Sequence, residues 1–295
     1  MPKLVLSTSS LGYRLFDLES KELLLAKKRG KVTYREDKIL IGDRVELDKD
    51  GFIEKVLPRL SLLKRPRLAN AQECLILLSF QKPDFSLFLL DKFLTSVNYS
   101  KIHAAIVINK IDLATSQERK EMEDFLSYYR GLGYPLFFLS AVKREEDFER
   151  LVEHIRGKRV ALMGQTGVGK STLLNALDPS FRRKVDTLYP KVNRGRHTTK
   201  ETILIPYQDG FLYDTPGFSS FELSDMDEDE LAMFFPGFLP LFPSCFFKDC
   251  HHLPKSKGCA VLKALEEKKI PKESYDDYLK VKEEVKELSQ WKKRI

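Results

Sequence analysis

The sequence predicts a multidomain chain: a small all-β barrel, a central α/β domain and a mostly α tail gathered around a metal site. Three observations carry this expectation. Residues 1–68 break into short strand patterns separated by Gly and Asp turns, with no helical period. From residue 69, apolar strand runs alternate with amphipathic helical runs, and one strand-to-helix junction reads GQTGVGKS, Gly164 to Ser171. Beyond residue 222, three cysteines and a histidine fall within one turn-rich stretch. The expected units are therefore 1–68, 69–221 and 222–295.

Composition sets the outer bounds. A chain of 295 residues has room for more than one buried core. It carries 50 Lys+Arg against 43 Asp+Glu, a formal net charge of +7, which suits a polyanionic partner. No run of about 18 uncharged apolar residues is present, so no membrane-spanning helix is expected. The start, MPKLVLSTSSLGYRLF, lacks the long apolar segment and small-residue cleavage site of a secretory signal. A cytoplasmic, monomeric protein with no membrane partner is expected. In a reducing compartment, clustered cysteines point to metal before disulfide.

In the first unit the strand runs are LVLSTSS, YRLFDL, ELLLAKK, KVTY, KILIGDRVELD and GFIEKVL. Their number and spacing match a five-stranded barrel of the OB type. Met1 to Asn70 holds 16 Lys+Arg against 10 Asp+Glu, a net of +6, so most of the excess charge sits here. Lys27-Lys28-Arg29-Gly30-Lys31 and Lys64-Arg65-Pro66-Arg67 are the densest runs. Such runs either hold a nucleic-acid backbone or form a solvated surface.

In the second unit Glu73 to Ser79 and Ala104 to Ile108 read as buried parallel strands, with a helix over Phe85 to Val97 between them. Cys74 is a small core residue. The second strand delivers Asn109-Lys110-Ile111-Asp112-Leu113. An Asp there can accept both N1–H and the 2-amino group of guanine, which adenine does not offer, so NKID reads as a guanine-reading motif. Gln117 to Leu132 reads as a helix, Pro135 to Leu139 as a strand, and Ser140-Ala141 as a loop whose main chain backs the base. Arg144 to Arg156 reads as a charged helix leading into the strand Arg159 to Met163.

That strand meets Gly164, Gln165, Thr166, Gly167, Val168, Gly169, Lys170, Ser171 and Thr172, and a helical run follows. Glycines let successive N–H groups wrap a phosphate chain at a helix N-terminus; Lys170 reaches the outer phosphates and Ser171 ligates Mg²⁺. Lys191 to Lys200 is polar, basic and aperiodic, and its Thr198 or Thr199 supplies the hydroxyl that senses Mg²⁺ and the outer phosphate. Gly210 to Tyr213 is a strand ending in Asp214-Thr215-Pro216-Gly217-Phe218. Asp214 suits a Mg²⁺-bound water, and the Gly217 N–H suits a terminal phosphate. The usual order of these motifs in a GTPase is phosphate loop, switch threonine, DxxG, NKxD, Ser-Ala. Here NKxD and Ser-Ala come first, which makes the unit a circularly permuted P-loop GTPase domain with an unchanged site.

The tail begins with the acidic, helical-looking 222–235 and a proline-punctuated connection over 236–243. Cys245, Cys250, His252 and Cys259 then match a closed tetrahedral zinc site, with His251 the competing imidazole. Ser274 to Arg294 reads as a highly charged helix that either lies on RNA or faces solvent.

With NKID, SA, GQTGVGKS, GRHTT, DTPGF and the Cys-Cys-His-Cys stretch in place, the chain resembles the bacterial small-ribosomal-subunit biogenesis GTPases of the YjeQ/RsgA type over nearly its whole length. GDRV at Gly42 to Val45 and Ala69-Asn70-Ala71-Gln72 fit the same family, whereas Lys200 stands where it often has a third threonine. The resemblance implies a GTPase that binds the 30S subunit and 16S rRNA late in assembly, with GTP/GDP and Mg²⁺ at one site and one structural Zn²⁺ per chain. It implies hydrolysis stimulated by the particle and used to leave it. Phe218 follows the DxxG glycine, where Ras-like enzymes keep a water-orienting glutamine. Another group must take that role, and His197 in GRHTT has the imidazole for it, a role that the resemblance also implies; packing or an rRNA contact is its other use. The competing function is a nucleotide-regulated RNA-binding scaffold with negligible turnover.

Overall fold

The computed structural model describes residues 2–33, 38–188, 202–215, 223 and 226–292. The first unit folds as β1 (Lys3–Ser9), β2 (Gly12–Asp17), β3 (Leu23–Ala26), β4 (Lys28–Thr33), β5 (Arg44–Leu47) and β6 (Ile53–Val56). Their order in the sheet is β3-β2-β1-β5-β6-β4. β3 and β4, separated only by Lys27, stand at the two edges, so one bent strand closes the sheet into a five-stranded barrel. The β4–β6 pair is parallel, and the β1–β2, β1–β5, β2–β3 and β5–β6 pairs are antiparallel, as an OB barrel requires. Val5, Leu15, Val45 and Val56, which share one face of the sheet by their cross-strand pairing, are buried in its interior.

The long strand expected over Lys38 to Asp48 is shortened to β5. Gly42 has φ +88°, and an added Cβ would stand 2.1 Å from the Ala69 carbonyl oxygen and 2.2 Å from the Tyr213 hydroxyl. Asp43 beside it is fully buried, accepts from the Leu40 N–H at 2.7 Å and pairs with Arg59. These contacts turn the chain where the apolar pattern alone reads as extended. The basic run Lys64 to Arg67 belongs to a hairpin, β7 (Leu62–Lys64) and β8 (Arg67–Ala69).

The central sheet has seven strands: β9 (Glu73–Ser79), β10 (His103–Asn109), β11 (Leu136–Ser140), β12 (Glu145–Glu146), β13 (Arg159–Met163), β14 (Ile203–Tyr207) and β15 (Gly210–Asp214). They lie in the order β12-β11-β10-β9-β13-β15-β14, the inner five parallel. Alternation sorts each strand between two cores. Leu75, Leu77, Val107, Val160 and Leu162 face α4 (Phe148–Ile155), α5 (Lys170–Leu177) and α6 (Phe181–Leu188). Cys74, Ile76, Leu78, Ile106 and Met163 face the other way, into a core shared with α1 (Leu87–Tyr99), the barrel and the tail.

The helix expected over Gln117 to Leu132 is two, α2 (Ser116–Phe125) and α3 (Ser127–Gly131), parted at Leu126. Of the acidic stretch 222–235, only α7 (Leu231–Phe234) is helical among the described residues. α8 (Ala260–Glu266) and α9 (Lys272–Lys292) complete the tail. Tyr275, Tyr278, Val281 and Val285 of α9 are buried at helical spacing, so one face of this charged helix is core, packed on α1.

Candidate nucleotide site and metal centre

β9 and β13 are neighbours whose chains leave in opposite directions. β9 runs through α1 to β10 on one side, and β13 runs through α5 and α6 to β15 and β14 on the other. Such a switch point opens a crevice at the carboxyl ends of the strands, where α/β sheets bind ligands. Gly164 follows β13 directly, and its missing Cβ would stand 2.2 Å from the Leu77 carbonyl oxygen. Gly169, at φ +100°, caps α5 and would meet the Asn109 amide at 2.4 Å. Both glycines are therefore required by close approach, which draws the loop's N–H groups together at a helix N-terminus.

Lys170 lies across this loop, its Nζ donating to the Gly164 carbonyl and, at 2.7 Å, to that of Gln165. Burial lowers its ammonium to about 8. An anion in the crevice would oppose that shift and take over these hydrogen bonds. Ser171 and Thr172 are exposed at the start of α5, Thr166 and Gly167 are exposed, Gln165 is half-buried and Val168 is buried.

The NKID segment leaves β10 on the same side. Asn109 is buried; its Nδ2 donates to the Val168 carbonyl at 2.9 Å, and its Oδ1 accepts from the Ala141 N–H at 3.0 Å. One side chain thus joins the phosphate loop to the Ser140-Ala141 loop. Lys110, at φ 60°, donates to the Gly167 carbonyl at 2.8 Å and to that of Lys82. Asp112 and Leu113 stand exposed in a single 3₁₀ turn, Ile111–Leu113. A capping box between Thr115 and Glu118 starts α2 immediately afterwards and fixes that turn. Ser140 is buried, and its Oγ accepts from the Lys143 N–H at 3.3 Å.

Asp214 ends β15 half-buried, and Thr215 donates to the Leu162 carbonyl at 3.0 Å, holding the strand end beside the phosphate loop. His197, Thr198, Thr199, Gly217 and Phe218 lie outside the described residues. Sequence reasoning missed the loop after β9. Ser79 donates to the Pro83 carbonyl at 2.5 Å, and Pro83 lies 3.6 Å from where a Gly167 Cβ would be. The signal was available, since this loop also leaves the carboxyl end of a central strand.

In the tail, the ligand atoms of Cys245, Cys250, His252 and Cys259 all lie within 4.8 Å of one another. His252 Nδ1 is 3.4 Å from Cys259 Sγ and 3.8 Å from Cys245 Sγ. With Zn–S bonds of about 2.3 Å, tetrahedral ligand atoms stand about 3.5–4 Å apart, so the group fits such an ion. The Ala260 N–H donates to Cys245 Sγ at 3.4 Å, which suits a thiolate. Burial raises the Cys259 thiol to about 11 and lowers His252 to about 4. The neutral imidazole is ready to ligate, and a cation's charge would reverse the thiol shift. His251, the competing imidazole, is turned out toward Asp229 at 3.5 Å. These four residues could hold a metal ion.

Fold and topology define a circularly permuted GTPase that carries an OB barrel and a Cys/His tail. The family model described as RsgA GTPase matches residues 56–224. The small ribosomal subunit biogenesis GTPase RsgA of Geobacillus sp. (strain WCH70) is 38% identical, the alignment covering 88% of this chain and 90% of that one. The protein of the same name from Thermotoga maritima is 36% identical, with 94% of each chain covered. Among solved structures, YloQ, described as a circularly permuted GTPase, superposes with TM-score 0.80 at 31% identity over 97% of this chain and 95% of that one. YjeQ from Thermotoga maritima gives 0.78 at 32% identity, over 96% and 98%. The chain belongs to the RsgA GTPase family.

Proposed function

We propose that this protein is a GTP hydrolase of small ribosomal subunit biogenesis that binds the 30S particle through 16S rRNA late in its maturation and leaves it on hydrolysis. It acts as a cytoplasmic monomer whose units are 1–68, 69–221 and 222–295. The observation that carries the nucleotide reading is Asn109, which ties the phosphate loop to the Ser-Ala loop through Val168 and Ala141. Three motifs far apart in sequence then face one crevice, with Asp112 free to read guanine. The relatives' shared name, small ribosomal subunit biogenesis GTPase, supports the particle as partner.

In this reading Asp112 accepts N1–H and the 2-amino group of guanine, with Leu113, Ser140 and Ala141 around the base. Gly164 to Gly169 wrap the phosphates with N–H groups, and Lys170 leaves its loop carbonyls for the outer phosphates. Ser171, with Thr198 or Thr199, would hold Mg²⁺, Asp214 would take one of its waters, and the Gly217 N–H would meet the terminal phosphate. Mg²⁺ bound with GTP would supply positive charge that neutralises the charge developing on the phosphates. His197 orients the attacking water in the place of the glutamine that Phe218 replaces. Cys245, Cys250, His252 and Cys259 hold one structural Zn²⁺, leaving no coordination position open for catalysis.

The deciding measurement is GTP turnover with and without 30S particles, on wild type and His197→Ala. Wild type should be slow alone and accelerated by particles. The variant should keep GTP affinity and GTP-dependent particle binding yet lose about a hundredfold or more of the stimulated rate. Turnover that particles do not change would favour the scaffold reading, and undiminished stimulation in the variant would remove His197 from its role.

A further inference from the structure

The Cys/His turn has an outer surface that neither the metal nor the core uses. Phe246 and Phe247, between Cys245 and Cys250, are 78% and 50% exposed. Their rings stand 4.9 Å apart at 80°, away from the buried aromatic group of Phe235, Phe238 and Tyr278. Phe246 is firmly mounted. Its N–H donates to the Gly258 carbonyl at 2.9 Å, and Gly258, at φ +65°, has no Cβ because one would fall 2.6 Å from that of Phe246.

Basic residues lie close to the pair and to Gly258 in the sequence. Lys248 follows Phe247, Lys257 precedes Gly258, and Lys255 lies two residues before that; all three are exposed, with Asp249 the one carboxylate between Cys245 and Cys259. Of the acidic residues elsewhere in the tail, Asp229 faces His251 and Glu228 faces Lys282. Exposed aromatic rings serve protein and RNA partners alike, and it is the lysines, depleted from protein–protein interfaces, that favour RNA. Rings and lysines together suit single-stranded nucleic acid, in which each base offers a face for stacking and each phosphate a charge for an ammonium group. Duplex RNA keeps its bases stacked on one another and out of reach.

We infer that Phe246 and Phe247 form a stacking platform for unpaired RNA bases, with Lys248, Lys255 and Lys257 on the flanking phosphates. The choice of RNA rests on the small-subunit reading above; the platform itself rests on the exposed rings and their charged rim.

The test uses the full-length, zinc-loaded chain with a labelled oligoadenylate and an RNA duplex of equal length. F246A/F247A should bind oligoadenylate about tenfold or more weakly, bind duplex as wild type does, and retain its zinc. F246W should restore the affinity, and in a W291F background its fluorescence should be quenched on binding. Unchanged oligoadenylate affinity in F246A/F247A, an equal loss on duplex, or an unquenched indole would overturn the inference. So would a variant that keeps RNA affinity but loses 30S binding, because the rings would then meet a ribosomal protein. If F246A/F247A loses zinc, the quenching measurement decides alone. Wild-type binding to 30S particles is read in parallel: its failure would strike the proposed function and leave the oligoadenylate result standing.

Discussion

The nucleotide site and the Cys/His turn are built on opposite principles. The phosphate loop leaves β13, and NKID leaves β10, strands that are buried on both faces and paired with β9 between them. Backbone geometry and one bridging asparagine set the loop, so this site is a product of the fold. The turn from Cys245 to Cys259 has only a 3₁₀ segment before it and the short α8 after it. Its buried polar atoms include His252 Nε2, which has no hydrogen-bond partner among the described residues. Little apolar burial is available to order it, so a metal ion held there would supply what packing supplies elsewhere. One region is folded in order to bind, and the other would bind a metal ion in order to fold.

The largest effect expected of that contrast comes from metal removal. Chelation, or Cys259→Ser, should raise amide exchange across the turn and into the first turns of α9. The connection is direct: the Tyr275 hydroxyl donates to the His252 carbonyl and that of Tyr278 to the His251 carbonyl, each at 2.8 Å. Apparent zinc-binding energies of about 10 kcal/mol or more act as folding energy in such units. GTP affinity should move by no more than about twofold. Loss of nucleotide binding together with the turn would break the contrast, as would a turn that stays protected without metal.

The converse change should leave the metal centre untouched. Asp112 is exposed on a capped turn, so Asp112→Asn alters base recognition without altering the fold. Exchanging an acceptor oxygen for a donor should weaken GTP about hundredfold and improve xanthosine triphosphate, whose 2-oxo group can accept, at unchanged zinc content. A wild-type chain that binds ATP as tightly as GTP would remove Asp112 from base reading.

Much of this was legible in the sequence for a physical reason. β9 and β13 coincide with the runs Glu73 to Ser79 and Arg159 to Met163, because strands buried on both faces must be continuously apolar. Glycine spacing and cysteine spacing announced the two sites, since both depend on local geometry. What stayed hidden is tertiary. Nothing local says that Tyr213 donates to the Ala69 carbonyl at 2.5 Å, or that this contact turns the chain at Gly42. The break at Leu126 divides what periodicity reads as one helix; Leu126 is fully buried there, in the core that also holds Tyr129 of the second piece. The charged C-terminal helix gave no hint that one of its faces is core, because its buried positions include Asp277 and Lys282.

The seam between the two regions sharpens the comparison with a smaller, pH-dependent effect. Asp91 of α1 is fully buried, its Oδ1 accepting from the Tyr129 hydroxyl at 2.5 Å. Burial lifts its carboxyl from 3.8 to about 8; the Tyr129 and Ser274 hydroxyls oppose the shift and the like charge of Asp277 on α9 adds to it. On the same seam Lys92 of α1 pairs with Glu284 of α9. Because the native carboxyl has the higher pKa, the folded chain keeps a proton that the unfolded chain has released between 3.8 and about 8. Stability contributed by Asp91 is therefore greatest below that window, falls as pH rises through it, and is level above it. The slope is at most about 1.4 kcal/mol per pH unit for one proton. Asp91→Asn keeps an acceptor for Tyr129 and cannot ionise, so it should flatten this part of the stability–pH profile. Denaturation midpoints at pH 6 and pH 8 (roughly the middle and the upper edge of the window) should differ less in the variant than in wild type. If the two profiles run parallel, Asp91 is already ionised at the seam, and the join between nucleotide unit and tail is held by the outer ion pairs instead.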